Sequence, residues 1–461
     1  MRHKIQLAQV ISRILPAMPA ATLLIIVFFY GWTAFTSRTL TEAAAYPYQE
    51  LARAFRHGQL HFLTLPSNEL LSLSDPYDPI LNQPYRRSLH DVSLYNGRYF
   101  LYFGPLPAVF LFLPAQLLGF QMTGAIACLI LGTILLIVQT LIVIKALGKK
   151  TFDHPVLLSA TIMLLGFGSL TPMLLRRPAM YEIAILTGAL FLSCSILCII
   201  LALNSRTTNL KLDCAAIIFS FMAFSSRPSQ IVALVMTLFL FIVVISRTRR
   251  QKALYLCIST LPTLLICGYN YFRFGSILEF GLNWILAGND LRSVPTFNLG
   301  WIKPKLFGDL FTLPNFVSTF PWLKFNHPAL APAFGASGLE PSVGLLIIAP
   351  WLLPMFGLFI YFSRRLHKSD QRIFFLIVYA TLTALGSFTT QMIVMPTITY
   401  RYLGDYAPFI FLGAAVFIFH TGSTLQIRNL PSALGISICL CTTVMSIGLL
   451  SFTGYYNPLG F

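Results

Sequence analysis

The chain has 461 residues, 56% of them hydrophobic and 10% charged, with a mean hydropathy of +0.74. Soluble domains carry about a quarter charged residues, so the composition excludes a water-soluble globular protein and indicates a polytopic membrane protein. The formal charge of +17 is dispersed in short clusters, the longest being the RTRRQK of Arg247 to Lys252. Short basic loops between apolar helices are a topology signal, which argues against nucleic acid as a partner.

The first apolar run, 14–36, follows a basic start with Arg2, Lys4 and Arg13. It is too long for a signal-peptide core and lacks a small-residue cleavage site, so it reads as a retained span. A polar stretch follows, and then the apolar segment Asn96 to Phe120, which contains Pro105, Pro107 and Pro114. If this segment crossed the membrane, the clusters Lys145/Lys149/Lys150, Arg247/Arg249/Arg250/Lys252 and Arg364/Arg365/Lys368 would lie opposite the basic N-terminus. If it dips and returns, all of them share the N-terminal side, as the positive-inside rule requires. Backbone breaks at prolines are tolerated at membrane depth where protein or a wet cavity surrounds them.

The fold class expected is therefore all-α, a polytopic bundle of about eleven spans forming one membrane domain over 1–461. The first span is 14–36, an outer loop with juxtamembrane helices and the dipping helix occupies 37–121, and spans two to seven fill 122–272. A second outer loop covers 273–341, and spans eight to eleven with an outer tail cover 342–461. The N-terminus is placed in the cytoplasm, and the setting read is a bacterial inner membrane.

Acidic residues are not counted by the topology rule, so their distribution is independent of it. Only Asp153, Asp213 and Asp370 fall inside; the other twelve acids fall in or beside outer loops. Long loops with little regular structure are usually functional, which makes the outer face the working face. The eight cysteines lie within or at the ends of apolar segments and form neither a disulfide framework nor a zinc pattern. The inner loops are too short to hold a nucleotide, and no zincin, hydrolase-elbow or phosphate-loop motif is present. What is left is a set of carboxylates and arginines at the outer boundary of a bundle. Such a set suits a carboxylate taking a proton while cations hold a phosphate leaving group.

In order along the chain, PYQELARAFRHGQLHF (Pro47 to Phe62), LYNGRYFLYFGPLPAVFLFLPAQLLG (Leu94 to Gly119), NYFRFGSILEFG (Asn270 to Gly281) and RYLGDYAP (Arg401 to Pro408 with Tyr400 before it) resemble the landmarks of one family. It is the C-type integral membrane glycosyltransferases, and within them the branch of aminoarabinose transferases and protein O-mannosyltransferase-like proteins. The resemblance implies transfer of a sugar from a polyprenyl-phosphate carrier to an acceptor hydroxyl on a glycan, lipid or protein. It also implies a base in the first outer loop and basic residues on the carrier phosphate. Where that family has an acidic pair this chain has Ala44 and Ala45, and Phe103 and Gly104 stand where it has a lysine before the prolines.

Glu42 is the nearest acid to the missing pair and the first candidate base, with Asp91 as the second. Arg401 with Tyr400 is the main candidate for the donor phosphate, because a guanidinium matches phosphate oxygens bidentately. Arg98, Arg176, Arg177 and Arg227 are supporting candidates. Arg401 could instead snorkel to headgroups or pair with Asp405 at i+4. Asp75 and Asp78, in DPYDP, read as turn formers. No metal ligands and no cofactor are identified beyond the lipid-linked donor, and a divalent cation is left open. Membrane lipids are the remaining expected partners. Rival readings are a transporter or flippase of lipid-linked glycans, a polysaccharide polymerase or ligase, and an inactive scaffold.

The basic-loop parity generates one test. Single cysteines introduced after Phe120 and after Lys150 are expected to label from the outer and the inner side respectively. Labelling of both from the inner side would invert the site map.

Overall fold

The computed structural model describes residues 15–36, 41–86, 89, 91–205, 209–245, 248–295, 297–316, 318, 323–324, 326, 340, 342–394, 397–424 and 430–450. Apolar runs that must satisfy their own backbone polar groups in lipid become helices, and helices dominate. In chain order they are α1 (Leu15–Phe35), α2 (Thr41–Arg56), α3 (Ala108–Leu117), α4 (Gly124–Leu147), α5 (Pro155–Gly168), α6 (Thr171–Arg176), α7 (Met180–Asn204) and α8 (Leu210–Ser226). The series continues with α9 (Pro228–Ile245), α10 (Arg249–Phe274), α11 (Ile302–Phe311), α12 (Leu352–Ser369), α13 (Gln371–Val394), α14 (Ala407–Thr424) and α15 (Leu430–Leu450). Seven of the described helices, α1, α4, α7, α9, α10, α13 and α14, are long and apolar enough to cross a membrane.

α7 is the centre of the bundle: 89% of its most apolar window is buried, against 11% for α1 and 17% for α10. Lipid tails are as apolar as leucine, so helices associate through close packing of small residues and not through exclusion from water. Gly188 on α7 illustrates this, since a Cβ there would come within 3.0 Å of the Arg227 Cβ. Several expected spans are broken. The 155–175 run passes through a π-turn at Leu164–Gly168 and a left-handed Leu170 (φ 61°) before α6 begins. In 342–363, a short helix at Leu345–Ile348 stops before Pro350 and α12 restarts at Leu352.

The expected dipping segment differs at its start. Asn96 and Gly97, both at positive φ (47° and 68°), turn a hairpin between β1 (Ser93–Tyr95) and β2 (Arg98–Phe100). Asn-Gly is the strongest short-range hairpin signal because a type I′ turn needs two left-handed residues. The helix begins only beyond Pro105, and α3 is ten residues long, too short to cross. It packs on α2: Tyr48 stacks on Phe112 at 5.7 Å, and Gln116 Nε2 donates to the Gln49 carbonyl at 3.0 Å. A second small hairpin, β3 (Asn315–Phe316) with β4 (Leu323–Lys324), lies in the second loop. The all-α expectation therefore holds for the bundle, with two short hairpins added.

Gly104 ties the first loop to the bundle. A Cβ there would stand 1.7 Å from the Ser225 carbonyl oxygen, two residues before Arg227. Only glycine permits that approach, so no lysine fits at this position without moving the α8 end. Gly104→Ala is expected to cost about 1–3 kcal/mol by overpacking, read as a lowered thermal unfolding temperature in detergent. Gly268→Ala, with nothing near its Cβ, is the control and is expected to leave that temperature unchanged or raised.

Candidate functional site

Two charged clusters meet under the two long loops. The first is centred on Arg227, in the turn between α8 and α9, which is 4% exposed. Its Nε donates to both carboxylate oxygens of Asp405 at 3.1 and 3.0 Å. The Ser229 hydroxyl (3.2 Å) and Gln391 Nε2 (2.5 Å) donate to the same carboxylate, and Gln230 Nε2 donates to the Asp405 carbonyl (3.1 Å). Burial opposes the Arg227 charge, but Asp405, with Tyr402 and Tyr102, outweighs it and holds the guanidinium charged. The Phe103 and Tyr402 rings flank it at 5.6 and 5.7 Å.

The second cluster is centred on Glu340 from the second loop. Arg401 Nη2 donates to its Oε1 at 2.8 Å, Arg177 Nη1 lies at 3.7 Å, and the Thr399 hydroxyl donates to Oε2. Burial works against the Glu340 charge, yet Arg401, Arg177 and Thr399 together hold its carboxyl below the usual range. Nε and Nη1 of Arg401 are buried without a hydrogen-bond partner among the described residues. Close by in α7, Glu182 is fully buried and neither of its oxygens is hydrogen-bonded among the described residues. Its carboxyl lies close enough to Arg177 and Arg401 to interact with both. Tyr181 joins this cluster to the first loop: its ring lies 4.1 Å below Arg401 and 5.5 Å from Arg177, and its hydroxyl donates to Asp91 Oδ2 in a short hydrogen bond. Asp91 adopts φ 58°, a left-handed conformation that aspartate tolerates better than most residues. Its N–H donates to the Leu286 carbonyl at 3.1 Å.

Between these clusters lies a cavity of about 280 Å³ whose lining includes Asp91, Tyr181, Arg227, Glu340, Arg401 and Tyr402. A second cavity of about 470 Å³ adjoins it, walled by Phe224, Ile231, Leu278, Phe280 and neighbours. The two share Tyr102, Phe103, Arg227, Leu282, Asn283 and Val394. A polar chamber thus shares a wall with a mainly apolar one, and Arg227 belongs to both.

Among the residues singled out from sequence, Asp91, Arg227 and Arg401 line the polar cavity, with Arg177 bonded to its wall. Tyr400 is buried in the same 3-10 turn, Tyr400–Asp405. Arg401 does not pair with Asp405 at i+4, because three residues per turn place that residue off its face; Asp405 pairs with Arg227. Arg98 is exposed on β2 and is not part of either cavity, since the Asn-Gly turn carries it away from the helix. Arg176 Nη1 donates to the Thr36 carbonyl and hydroxyl, both at 3.1 Å, at the end of α1. Glu42 lies in the first turn of α2, and its side chain falls outside the described residues. Asp75 and Asp78 accept from backbone N–H groups two residues on, and Asp75 pairs with Arg292 at 2.5 Å. Among the described residues no three His, Cys, Asp or Glu side chains converge in a way that could hold a metal ion.

Sequence reasoning did not single out Glu340, Glu182, Tyr181 or Asp405 as members of a site. RRPAMYE already places Arg177, Tyr181 and Glu182 together, but the partner of each lies more than a hundred residues away or in another loop. It also missed Lys305 on α11, which is fully buried. Lys305 Nζ donates to the Thr397 carbonyl at 2.7 Å, sits 5.0 Å from the Tyr402 ring and lies 3.9 Å from Asp309. Thr397 Oγ1 donates to the Tyr402 hydroxyl at 2.9 Å, so α11 braces one wall of the polar cavity. Burial pushes the Asp309 carboxyl up to about 6, with Lys305 acting against the shift.

The long-helix bundle with a charged chamber beneath two long loops shares its fold with solved C-type membrane glycosyltransferase structures. The crystal structure of the Archaeoglobus fulgidus oligosaccharyltransferase in its apo form matches over 96% of this chain and 57% of that one, with 12% identity and a TM-score of 0.50. The same enzyme tethered to an acceptor peptide containing an NVT sequon gives a TM-score of 0.51 at 12% identity, over 96% of this chain and 56% of that one. ArnT from Cupriavidus metallidurans bound to undecaprenyl phosphate gives 0.49 at 10% identity, over 95% and 76%. The chain spans a little over half the length of the oligosaccharyltransferase. No family model matches the sequence, and no curated protein matches it significantly.

The buried Lys305–Asp309 pair yields a stability test. Removing one partner of a buried ion pair costs about 3–5 kcal/mol, whereas an apolar replacement of both is close to neutral. Lys305→Met is therefore expected to lower the unfolding temperature more than Lys305→Met with Asp309→Leu. The acid adds a pH signature. Between its ordinary value of 3.8 and about 6, the folded chain keeps a proton that the unfolded chain has released. This group's contribution to stability thus falls as pH rises through that window and is constant above it. Asp309→Asn is expected to flatten the slope there, measured as unfolding temperature against pH.

Proposed function

We propose that this protein is a membrane glycosyltransferase that moves a sugar from a polyprenyl-phosphate carrier to an acceptor hydroxyl at the outer face. One observation carries the reading: a polar chamber with arginines and a carboxylate shares a wall with an apolar chamber, and Arg227 lines both. A ligand with a phosphate head and a hydrocarbon tail fits that pair, the phosphate on Arg227 and Arg401 and the first isoprene units against Phe224, Ile231 and Phe280. The resemblance of the four sequence landmarks and the shared fold support the same class.

In this reading Asp91 is the base. It lines the polar chamber, and the Tyr181 hydroxyl donates to its Oδ2, which positions the carboxylate at the chamber wall. Asp91 takes the acceptor proton as the acceptor oxygen bonds to the anomeric carbon, and the bond from that carbon to the phosphate oxygen breaks. The electron pair leaves with the polyprenyl phosphate, whose growing charge is met by the guanidiniums of Arg227 and Arg401. Glu340 and Asp405 keep those guanidiniums in place before the substrate arrives. The shorter helices α5, α8, α12 and α15 complete eleven crossings, with the N-terminus in the cytoplasm of a bacterium and both chambers facing outward.

Three substitutions test the assignment in one assay of sugar release from a polyprenyl-phosphate donor. Asp91→Asn keeps the Tyr181 acceptor and is expected to slow transfer by about 10²–10⁴-fold, as loss of a general base does. Glu42→Gln is expected to be nearly silent; the reverse pattern would move the base to α2. Arg401→Lys keeps a cation beside Glu340 but loses the fork, and a drop of about 10²–10³-fold is expected. Carrier binding without turnover by the unaltered protein would favour the flippase reading.

A further inference from the structure

At the end of the bundle away from these chambers, Lys145, Lys150, Arg372 and His420 line a separate cavity of about 210 Å³. It is built by the last turns of α4 and α14, the turn after α4, and the first turn of α13. α13 runs from this cavity, at Arg372, to the polar chamber, at Val394. At 1.5 Å per residue that separation is roughly 33 Å, about one hydrocarbon thickness. The cavity therefore lies at the depth of lipid headgroups in the opposite leaflet.

Its chemistry is amphipathic and net positive. Three cations face a single carboxylate, Asp370, while Ala146, Leu147, Ile373 and Phe419 form an apolar side. Lys145, Lys150 and Arg372 are exposed, and Arg372 is tethered to the bundle ends. Arg372 Nη1 donates to Asn204 Oδ1 at 2.7 Å, its Nε lies 3.7 Å from Asp370 Oδ1, and Asn204 Nδ2 donates to the Lys145 carbonyl at 3.0 Å. The network joins the ends of α4, α7 and α13. With Arg372 held in this way, the Lys145 and Lys150 ammonium groups make no hydrogen bond or ion pair among the described residues. Two uncommitted ammoniums beside a tethered guanidinium suit a phosphate diester, and the apolar side suits the glycerol and acyl carbons that follow it. Basic pockets between transmembrane helices bind anionic headgroups on this physical basis.

We propose that this cavity binds the phosphate of an anionic phospholipid in the leaflet opposite the candidate site. The inference does not depend on the transfer reading, because it concerns another end of the molecule and is read without turnover. The purified full chain, in detergent with phosphatidylcholine, is titrated with phosphatidylglycerol, with more phosphatidylcholine, or with millimolar inorganic phosphate. Thermal unfolding and native mass spectrometry are recorded for each. Phosphatidylglycerol is expected to raise the unfolding temperature by several degrees and to leave a retained lipid. Both effects should be lost in Lys145→Gln with Lys150→Gln, which spares the Arg372 network. A second double variant, Arg364→Gln with Lys368→Gln, removes two exposed cations of α12 outside the cavity and should keep both effects. An equal response in the cavity variant, an equal response to phosphatidylcholine, or an equal loss in the α12 control would overturn the proposal. An equal shift from inorganic phosphate with no retained lipid would assign the cavity to free phosphate and overturn the lipid assignment.

Discussion

The pair between Arg227 and Asp405 is the constraint on which the chamber-bearing half of the molecule depends. Both charges are buried, and taking them from water costs several kcal/mol for each ion, so the pair persists only with good geometry and further hydrogen bonds. Those bonds come from Ser229 and Gln391 to the carboxylate, and from Gln230 to the Asp405 carbonyl. Ser387 in turn donates to Gln230 at 3.0 Å. One network therefore locks the α8–α9 turn and α13 to the 3-10 turn that carries Arg401. Without it, neither the polar chamber nor the wall it shares with the apolar one would have a defined shape.

The second cluster balances the same requirement with different parts. Arg177 and Arg401 are two cations in one space, and Glu340 lies within ion-pair distance of both. Glu182 adds a second carboxyl from the bundle side. Such an arrangement keeps guanidiniums charged in a low-dielectric setting while leaving Nε and Nη1 of Arg401 without partners among the described residues. Unsatisfied buried donors are costly in a finished structure and useful in a site that awaits an anion. Irregular backbone follows the same logic. The break at Leu170 and most of the turn at Tyr400–Asp405 are buried in protein, where neighbouring segments and not lipid surround the open backbone groups.

Local rules made some of the machinery legible. The low charge and long apolar runs led directly to a membrane bundle. The gathering of acids and arginines beside the two long loops pointed to Asp91, Arg177, Arg227 and Arg401, which meet around one chamber. Asn96-Gly97 was also readable as a hairpin, but the apolar content of the following residues drew the whole segment toward a helix. The turn took precedence because two left-handed residues end a right-handed helix outright. Arg98 and Arg176 show the opposite limit, since an arginine at a loop boundary looks the same in sequence whether it faces a cavity or caps a neighbouring helix.

What the sequence by itself determined was the medium and the periodicity: hydropathy selects lipid, and lipid requires helices whose backbone groups bond internally. It also determined the local turns, since prolines, Asn-Gly and Asp-Pro restrict backbone angles whatever surrounds them. The choice of partners belonged to the tertiary structure. Arg227 and Asp405 are separated by 178 residues, Arg177 reaches Glu340 from before α7 to the second long loop, and Tyr181 meets Asp91 across 90 residues. Charge complementarity is equally good for many pairings along a chain. Only the packing of α7 against its neighbours, down to glycines that admit a backbone and nothing larger, brings one set within reach and leaves the others apart.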